Sequence, residues 1–295
     1  MTDVSVVLNA GSGGGRSAEA APERIAALFS DHGREATVLP VRRGSTIEAE
    51  ARAALESGCR VLVAAGGDGT VSAVAGVLVG GEVPLGVLPV GTLNHFARDL
   101  GLPLGVPEAV AVVAGGTVRR VDVGEVNGRI FLNNSSLGVY PRIVELRARY
   151  TGRGAAKWIA ALWATLTVLR RRPFMRVRIS TEGKIVVRST PFVLVGNNEY
   201  RMAGLHAASR ESLTGGRLAL YVMDASHRPS LLRLGWKLFW QGSEQVRELD
   251  LLQVTEAAVE TRRHGLQVAL DGEVAVLRSP LEYRSRPGAL RVLVS

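Results

Sequence analysis

Cysteine is all but missing from this chain. Cys59 stands alone, so no intramolecular disulfide can form, and a reducing cytosol is the expected compartment. The five histidines (His32, His95, His206, His227 and His264) are scattered without metal-ligand spacing, which argues against a zinc site. Long hydrophobic runs are lacking too: no stretch reaches the roughly 20 apolar residues that a helical bilayer span needs. The apolar run Val4–Leu8 is short, has no basic residues before it and stops at Asn9 and a glycine cluster, so a signal peptide is not expected. Internal repeats and low-complexity segments are not evident. The composition, 46% hydrophobic and 21% charged, is that of a folded globular protein, and 295 residues suffice for two medium-sized domains. A cytoplasmic protein is expected, peripheral at the inner face of the membrane.

Acidic residues are scarce in one window. Arg142, Arg147, Arg149, Arg153, Lys157, Arg170, Arg171, Arg172, Arg176 and Arg178 face only Glu145, in a chain of net charge +9. By charge alone such a patch, 142–178, suits an anionic membrane surface or nucleic acid. No helix-turn-helix, RNA-binding or zinc-finger signature accompanies it, so the membrane surface is the expected partner and nucleic acid is not. A homodimer is left open.

Against these absences, the most informative presence is Gly66-Gly67-Asp68-Gly69-Thr70. It joins the apolar run Val61–Ala65 to a small-residue helical stretch, Val71 to Val79. A strand that runs into glycines and then a helix N-terminus is what a phosphate site requires. Glycine lets backbone N–H groups approach an anion, and the helix end adds partial positive charge. Asp68 is unexpected there, since a carboxylate repels phosphate unless a metal or a proton transfer explains it. The plain alternative is a tight turn with Asp68 as helix N-cap.

The first 120 or so residues alternate strand and helix. Strands are expected at Val4–Leu8, Glu35–Leu39, Arg60–Ala65 and Leu85–Leu88, and helices at Ala18 to Phe29, Thr46 to Leu55 and Asn94 to Leu100. This pattern predicts a mostly parallel sheet with helices on both faces, whose ligands bind beyond the carboxyl ends of the strands. The glycine-bearing loops 9–15, 66–70 and 89–92 all fall at such ends and should converge on one edge.

After about Asp122 strand follows strand: Ile130–Asn133, Phe174–Ile179, Ile185–Arg188, Phe192–Val195, Leu218–Val222, Val254–Glu260 and Gln267–Leu270. Glu182-Gly183 fits a hairpin turn. The expectation is a mainly antiparallel β domain with two inserted helices. One carries Ile159, Leu162, Trp163, Leu166 and Leu169; the other runs from Pro229 to Trp240 with Leu231, Leu232, Trp236 and Phe239. Stripes of this kind serve core packing or an interfacial helix on lipid headgroups. The predicted domains are 1–122, with about 284–295 returning, and 123–283.

Taken together these residues resemble the diacylglycerol-kinase catalytic family, which includes bacterial lipid kinases and the sphingosine and ceramide kinases. The resemblance spans nearly the whole chain. It rests on Gly66-Gly67-Asp68-Gly69-Thr70, on Gly91-Thr92-Leu93-Asn94 with Phe96-Ala97 some twenty residues later, and on Asp271-Gly272-Glu273. Asn9 with Ser12-Gly13, and Phe131 with Asn133 before Gly138, are weaker marks. The family implies an α/β nucleotide domain followed by a β-sandwich, with ATP and Mg²⁺ as cofactors and a diacylglycerol-like membrane lipid as substrate. ATP phosphates would lie against Ser12, Gly13, Gly66, Gly67, Gly69, Thr70, Gly91 and Thr92, with Asn9 and Asn94 assisting.

Phosphoryl transfer needs positioning, charge neutralisation and an acceptor for the hydroxyl proton. Glu273 is the expected general base with Asp68 as runner-up, and Asp68 with Asp271 would organise the metal and phosphates. The plain alternative for Asp271-Gly272-Glu273 is a hairpin turn.

Three departures from the family pattern stand out. Ala10 replaces a usual proline. His95 replaces the Asp of Gly-Thr-x-Asn-Asp-Phe, as a packing residue or a participant in chemistry. Leu213-Thr214-Gly215-Gly216 lacks the acids of an Asp-Asp-Gly element that supports a structural Mg²⁺ in many bacterial members. Two other functions compete. One is a soluble-substrate kinase such as NAD kinase, which shares the Gly-Gly-Asp-Gly-Thr loop and whose Asn-Glu dipeptide Asn198-Glu199 resembles. The other is a non-catalytic nucleotide- or lipid-binding module.

Overall fold

The computed structural model describes residues 3–9, 20–41, 46–138, 174–201, 209–210, 212–223 and 249–295. Ser12, Gly13, the basic window up to residue 173 and the two tryptophan-bearing helices expected around 159–169 and 229–240 lie outside the described residues. The chain divides into two compact units, Met1–Val123 with Arg286–Ser295, and Gly124–Ser285.

The first unit runs β1 (Val4–Leu8), α1 (Pro22–Asp31), β2 (Ala36–Pro40), α2 (Ile47–Glu56), β3 (Val61–Gly66), α3 (Asp68–Leu78), β4 (Leu85–Pro89), α4 (His95–Asp99), α5 (Val106–Gly115) and the start of β5 (Thr117–Val126). Its strands lie in the order β2-β1-β3-β4, all parallel. β1, β3 and β4 are buried along their whole length, as expected of parallel strands covered on both faces. Ile25, Leu28 and Phe29 of α1 and Ala109, Val110 and Val113 of α5 close the core over Val4, Val6, Val63 and Leu88. Thr46 caps α2 by accepting the Ala49 N–H at 3.1 Å. Near the chain end Val292 pairs in parallel with Leu85.

The second unit contains the end of β5, then β6 (Arg129–Phe131), β7 (Asn134–Gly138), β8 (Met175–Thr181), β9 (Lys184–Thr190), β10 (Phe192–Asn197), β11 (Tyr200–Arg201), β12 (Ser209–Arg210), β13 (Leu218–Met223), β14 (Leu249–Val254), β15 (Glu256–Thr261), β16 (Gly265–Leu270), β17 (Glu273–Arg278) and the start of β18 (Leu281–Val294). One antiparallel sheet has the order β14-β13-β10-β7-β16-β17. Facing it, β15 pairs antiparallel with β8 and with the start of β18, and β8 pairs with β9 through the Glu182-Gly183 hairpin turn. Val177, Ile179, Val259 and Tyr283 from one layer meet Leu137, Val193, Val195, Leu220 and Val268 from the other. That is a β-sandwich core. Phe131 and Tyr283 make an edge-on ring contact at 6.3 Å, and the Tyr283 hydroxyl is hydrogen-bonded to Ser135 Oγ at 3.0 Å. Burial pushes the Tyr283 phenol well above its ordinary pKa, the hydrogen bond to Ser135 offsetting it in part.

The fold is therefore a mostly parallel α/β unit and an antiparallel β-sandwich, as the alternation of elements in the sequence implied. One boundary moves with consequence. α3 begins at Asp68 rather than Val71, so Asp68, Gly69 and Thr70 are the first turn of a helix and not a loop before it.

Candidate functional site

In a parallel sheet the segments after neighbouring strands emerge side by side, and here the loops after β3 and β4 meet, with Asn9 at the end of β1 bonded beside them. Asn9, just past β1, donates through its backbone N–H to Ala65 O at 3.0 Å and through Nδ2 to Thr70 Oγ1 at 3.1 Å. Thr70 is only 3% exposed, and its hydroxyl ties Asn9, at the end of β1, to the first turn of α3. The loops after β3 and β4 touch backbone to backbone. A Cβ placed on Gly91 would overlap the Gly67 Cα and lie 2.7 Å from Asn94 Oδ1, and one on Gly67 would lie 3.5 Å from the Gly91 Cα. Only glycine at 91 permits that approach.

Asn94 shapes the loop that follows. Its backbone is left-handed (φ 52°, ψ 47°) and its side chain is buried. Oδ1 accepts the Gly91 N–H at 3.1 Å, and Nδ2 donates to the carbonyls of Pro89 and Gly91, each at 3.0 Å. Occupied in this way, Asn94 does not cap α4, although it is the residue at the N-cap. Asp68 supplies the cap from another helix: its Oδ1 accepts the Phe96 N–H at 3.1 Å. Among the described residues its Oδ2 has no hydrogen bond. The N-cap of α3 is Gly67, which brings no side-chain cap to the first-turn N–H groups. A helix N-terminus flanked by glycine suits an anion in physical terms. Thr92 and Leu93 are exposed at its edge and His95 is half-buried.

The second unit carries the other acids. Asp271 and Gly272, both at positive φ (47° and 90°), make the two-residue turn between β16 and β17, with Leu270 opposite Glu273. The turn is held by charge. Asp271 Oδ2 accepts the Leu132 N–H at 2.7 Å, and Oδ1 accepts those of Asn133 and Asn134 at 2.8 and 3.0 Å. The Asp271 N–H donates in return to Asn134 O at 3.0 Å. Both carboxylate oxygens expected at a metal are thus engaged by backbone donors. Glu273, the first residue of β17, is exposed.

A cation braces the same peptide run through its acceptors. Arg210, only 8% exposed, donates to Leu132 O at 2.5 Å through Nη1 and to Asn133 Oδ1 at 3.1 Å through Nη2, and Asn197 Nδ2 shares the Leu132 carbonyl at 2.9 Å. Arg210 and Asn197 were not among the expected site residues. Nothing distinguishes Arg210 in an arginine-rich sequence, whereas the Asn197-Asn198 pair closing an apolar strand was a visible signal. Asn198 and Glu199 are also engaged inside this unit. The Asn198 N–H donates to Arg217 O at 3.0 Å, and Glu199 Oε2 accepts from Gln253 Nε2 at 2.5 Å.

The structure gathers Asn9, Gly66, Gly67, Asp68, Gly69, Thr70, Gly91 and Asn94 in the first unit, and carries Asp271 and Glu273 on one hairpin of the second. Among the described residues no three acidic, His or Cys side chains gather as a metal cage. A dedicated all-protein Mg²⁺ site does not fit this donor set. A Mg²⁺ that keeps waters and nucleotide phosphates and takes one carboxylate does fit it.

Comparison with known proteins bears on both units. Residues 3–126 match the family model described as the diacylglycerol kinase catalytic domain, and residues 138–294 match the YegS C-terminal NAD kinase beta sandwich-like domain. The chain is 32% identical over 301 residues to the diacylglycerol kinase of Mycobacterium tuberculosis (strain ATCC 25618 / H37Rv), covering 98% of this chain and 94% of that protein. It is 39% identical over 253 residues to the "Probable lipid kinase YegS-like" of Pseudomonas aeruginosa PAO1, covering 81% of this chain and 78% of that one. A crystal structure of a diacylglycerol kinase from Bacillus anthracis str. Sterne superposes with a TM-score of 0.71, covering 99% of this chain and 97% of that one. At 18% identity that likeness speaks to the fold alone.

Proposed function

The chain belongs to the diacylglycerol kinase family, kinases with an alcohol acceptor, and from that premise we propose that it moves the γ-phosphate of ATP to a hydroxyl of a membrane-resident, diacylglycerol-like lipid. The observation that carries the reading is the close approach of the loops after β3 and β4, with Asn9 of the β1 end bonded to Thr70, around the glycine-led N-terminus of α3.

Phosphoryl transfer asks the protein mainly for position and charge. The first-turn N–H groups of α3, with Gly67 and Gly91 beside them, receive the phosphates of ATP. Asn94 holds the loop after β4 in shape, and the Asn9–Thr70 bond holds the end of β1 to the helix. Asp68 would hold Mg²⁺ through one carboxylate oxygen while the other caps α4. When bound, Mg²⁺ neutralises charge on the phosphates. Glu273 accepts the proton of the lipid hydroxyl as that oxygen bonds to the γ-phosphorus and the bond from phosphorus to the β,γ-bridging oxygen breaks, releasing ADP. Asp271 serves it indirectly, fixing the turn from which Glu273 projects.

A soluble acceptor such as NAD is the second reading, favoured by the match of residues 138–294 to an NAD kinase-like sandwich. The acceptor separates the two, which makes NAD the necessary control.

The test is Asp68→Asn. An amide oxygen still accepts the Phe96 N–H, so the fold is expected to keep its melting temperature. Loss of the anion is expected to cut Mg²⁺-dependent phosphate transfer by about 100-fold or more. Transfer at the wild-type rate from a folded Asp68→Asn protein would remove Asp68 from the mechanism.

A further inference from the structure

One cavity of the sandwich unit is lined by none of the phosphate-site or catalytic residues assigned above, and takes Arg176 from the basic window. It has a volume of about 380 Å³ and sits where the ends of β7 and β15 meet the starts of β8 and β16. Its floor is apolar, made by Leu137, Phe174, Met175 and Leu266. Its rim is cationic: Arg176, Arg262 and Arg263 are all exposed, and among the described residues no acid lines it. Glu260, the nearest acid along the chain, is engaged by Arg178 at 3.8 Å.

The rim is also built to hold its shape. The Thr261 hydroxyl accepts the Arg263 N–H at 3.1 Å and donates to the Arg263 carbonyl at 3.2 Å. Ser279 Oγ accepts the Thr261 N–H at 3.2 Å, and the Ser279 N–H donates to His264 O at 2.9 Å. The two adjacent arginines are thus presented on a tied turn. The neighbouring face of the β16–β17 hairpin continues the pattern. Val276 opposes Gln267 and Arg278 opposes Gly265. Val276 is 73% exposed, the most exposed of the large apolar side chains among the described residues.

We propose that this cavity and its arginine rim dock an anionic phospholipid of the bilayer, its phosphate held by Arg176, Arg262 and Arg263 and its first acyl carbons lying over Phe174, Met175 and Val276. A soluble anion needs the arginines alone. The apolar floor and the exposed valine beside it are what an amphiphile uses, and the charge is complementary to an anionic leaflet. Membrane docking by this face adds to the kinase reading without depending on it, because docking is measured without any transfer reaction.

The test is flotation of the full chain with vesicles of phosphatidylcholine alone and of equal parts phosphatidylcholine and phosphatidylglycerol. The wild type is expected to float only with the mixed vesicles. Arg262→Gln with Arg263→Gln should weaken that binding by about 25-fold, roughly fivefold per arginine. Val276→Asp should weaken it with all charges of the rim intact. Arg24→Gln with Arg60→Gln, two exposed arginines of the other unit, removes the same charge and should change binding little. Unchanged melting temperatures identify the variants that count. Equal loss from both double variants would assign the effect to net charge and overturn the site. So would binding that ignores phosphatidylglycerol, or a folded Arg262→Gln/Arg263→Gln protein that floats like the wild type.

Discussion

At the scale of single residues, both aspartates found by motif accept backbone N–H groups. Asp68 caps a helix that is not its own, and Asp271 accepts three backbone N–H groups. Asp271→Asn would turn an NH₂ toward at least one of those donors and remove the charge. It is expected to cost about 2 kcal/mol of stability, visible as a lower denaturant midpoint. Glu273→Ala removes an exposed side chain after the turn, so stability and ATP affinity should hold while transfer drops by about 10²–10⁴-fold. Steady-state kinetics beside calorimetric ATP titration separates the two outcomes. Wild-type transfer by Glu273→Ala would move the base elsewhere.

Tyr283 gives a prediction in pH. Its folded pKa is raised by burial, so the stability linked to its neutral form is fully present below the ordinary tyrosine value and is lost as pH rises past about 10. Tyr221, also raised by burial, adds to the same alkaline fall. Tyr283→Phe should start about 1 kcal/mol less stable, having left Ser135 without its partner, and should lose stability less steeply in alkali. Denaturant midpoints taken across that range test it.

At the scale of elements, what the sequence revealed and what it concealed have separate physical causes. Continuous apolar runs ending in glycine marked β1, β3 and β4 to within a residue, because buried parallel strands have no polar face to confuse the pattern. The start of α3 was hidden because Gly66, Gly67 and Gly69 read as loop, while the helix accepts Gly69 in its first turn. Val254–Glu260 looked like one strand. It breaks at Thr255 into β14 and β15, which pair with different partners, and side-chain alternation does not register such a break. β7 was masked by its composition. Asn134-Ser135-Ser136 looks like a turn, yet it is a central strand whose Ser135 is buried against Tyr283. The Arg210 brace was not legible at all, since it depends on pairing across distant strands.

The glycine contact between two elements makes its own prediction. Gly91→Ala must push the loop after β4 away from Gly67. A loss of about 1–3 kcal/mol is expected, with ATP affinity falling at least tenfold. Unchanged ATP binding would show that the meeting of the loops is not needed for the nucleotide.

At the scale of the whole molecule, the chain assigns its chemistry by unit. The α/β unit offers an anion site made of backbone and glycine, and the sandwich offers the Asp271–Glu273 hairpin and the arginine-rimmed cavity. Among the described residues no helix is long and apolar enough to cross a membrane. The net charge of +9 is complementary to an anionic surface.

The most direct measurement of that account follows labelled γ-phosphate from ATP, with Mg²⁺, into mixed micelles of diacylglycerol, sphingosine, ceramide or phosphatidylglycerol, with NAD as the soluble acceptor. Label in a diacylglycerol-like lipid, absent with Asp68→Asn, is the predicted result. Label in NAD alone, or ATP binding with no transfer to any acceptor, would contradict it.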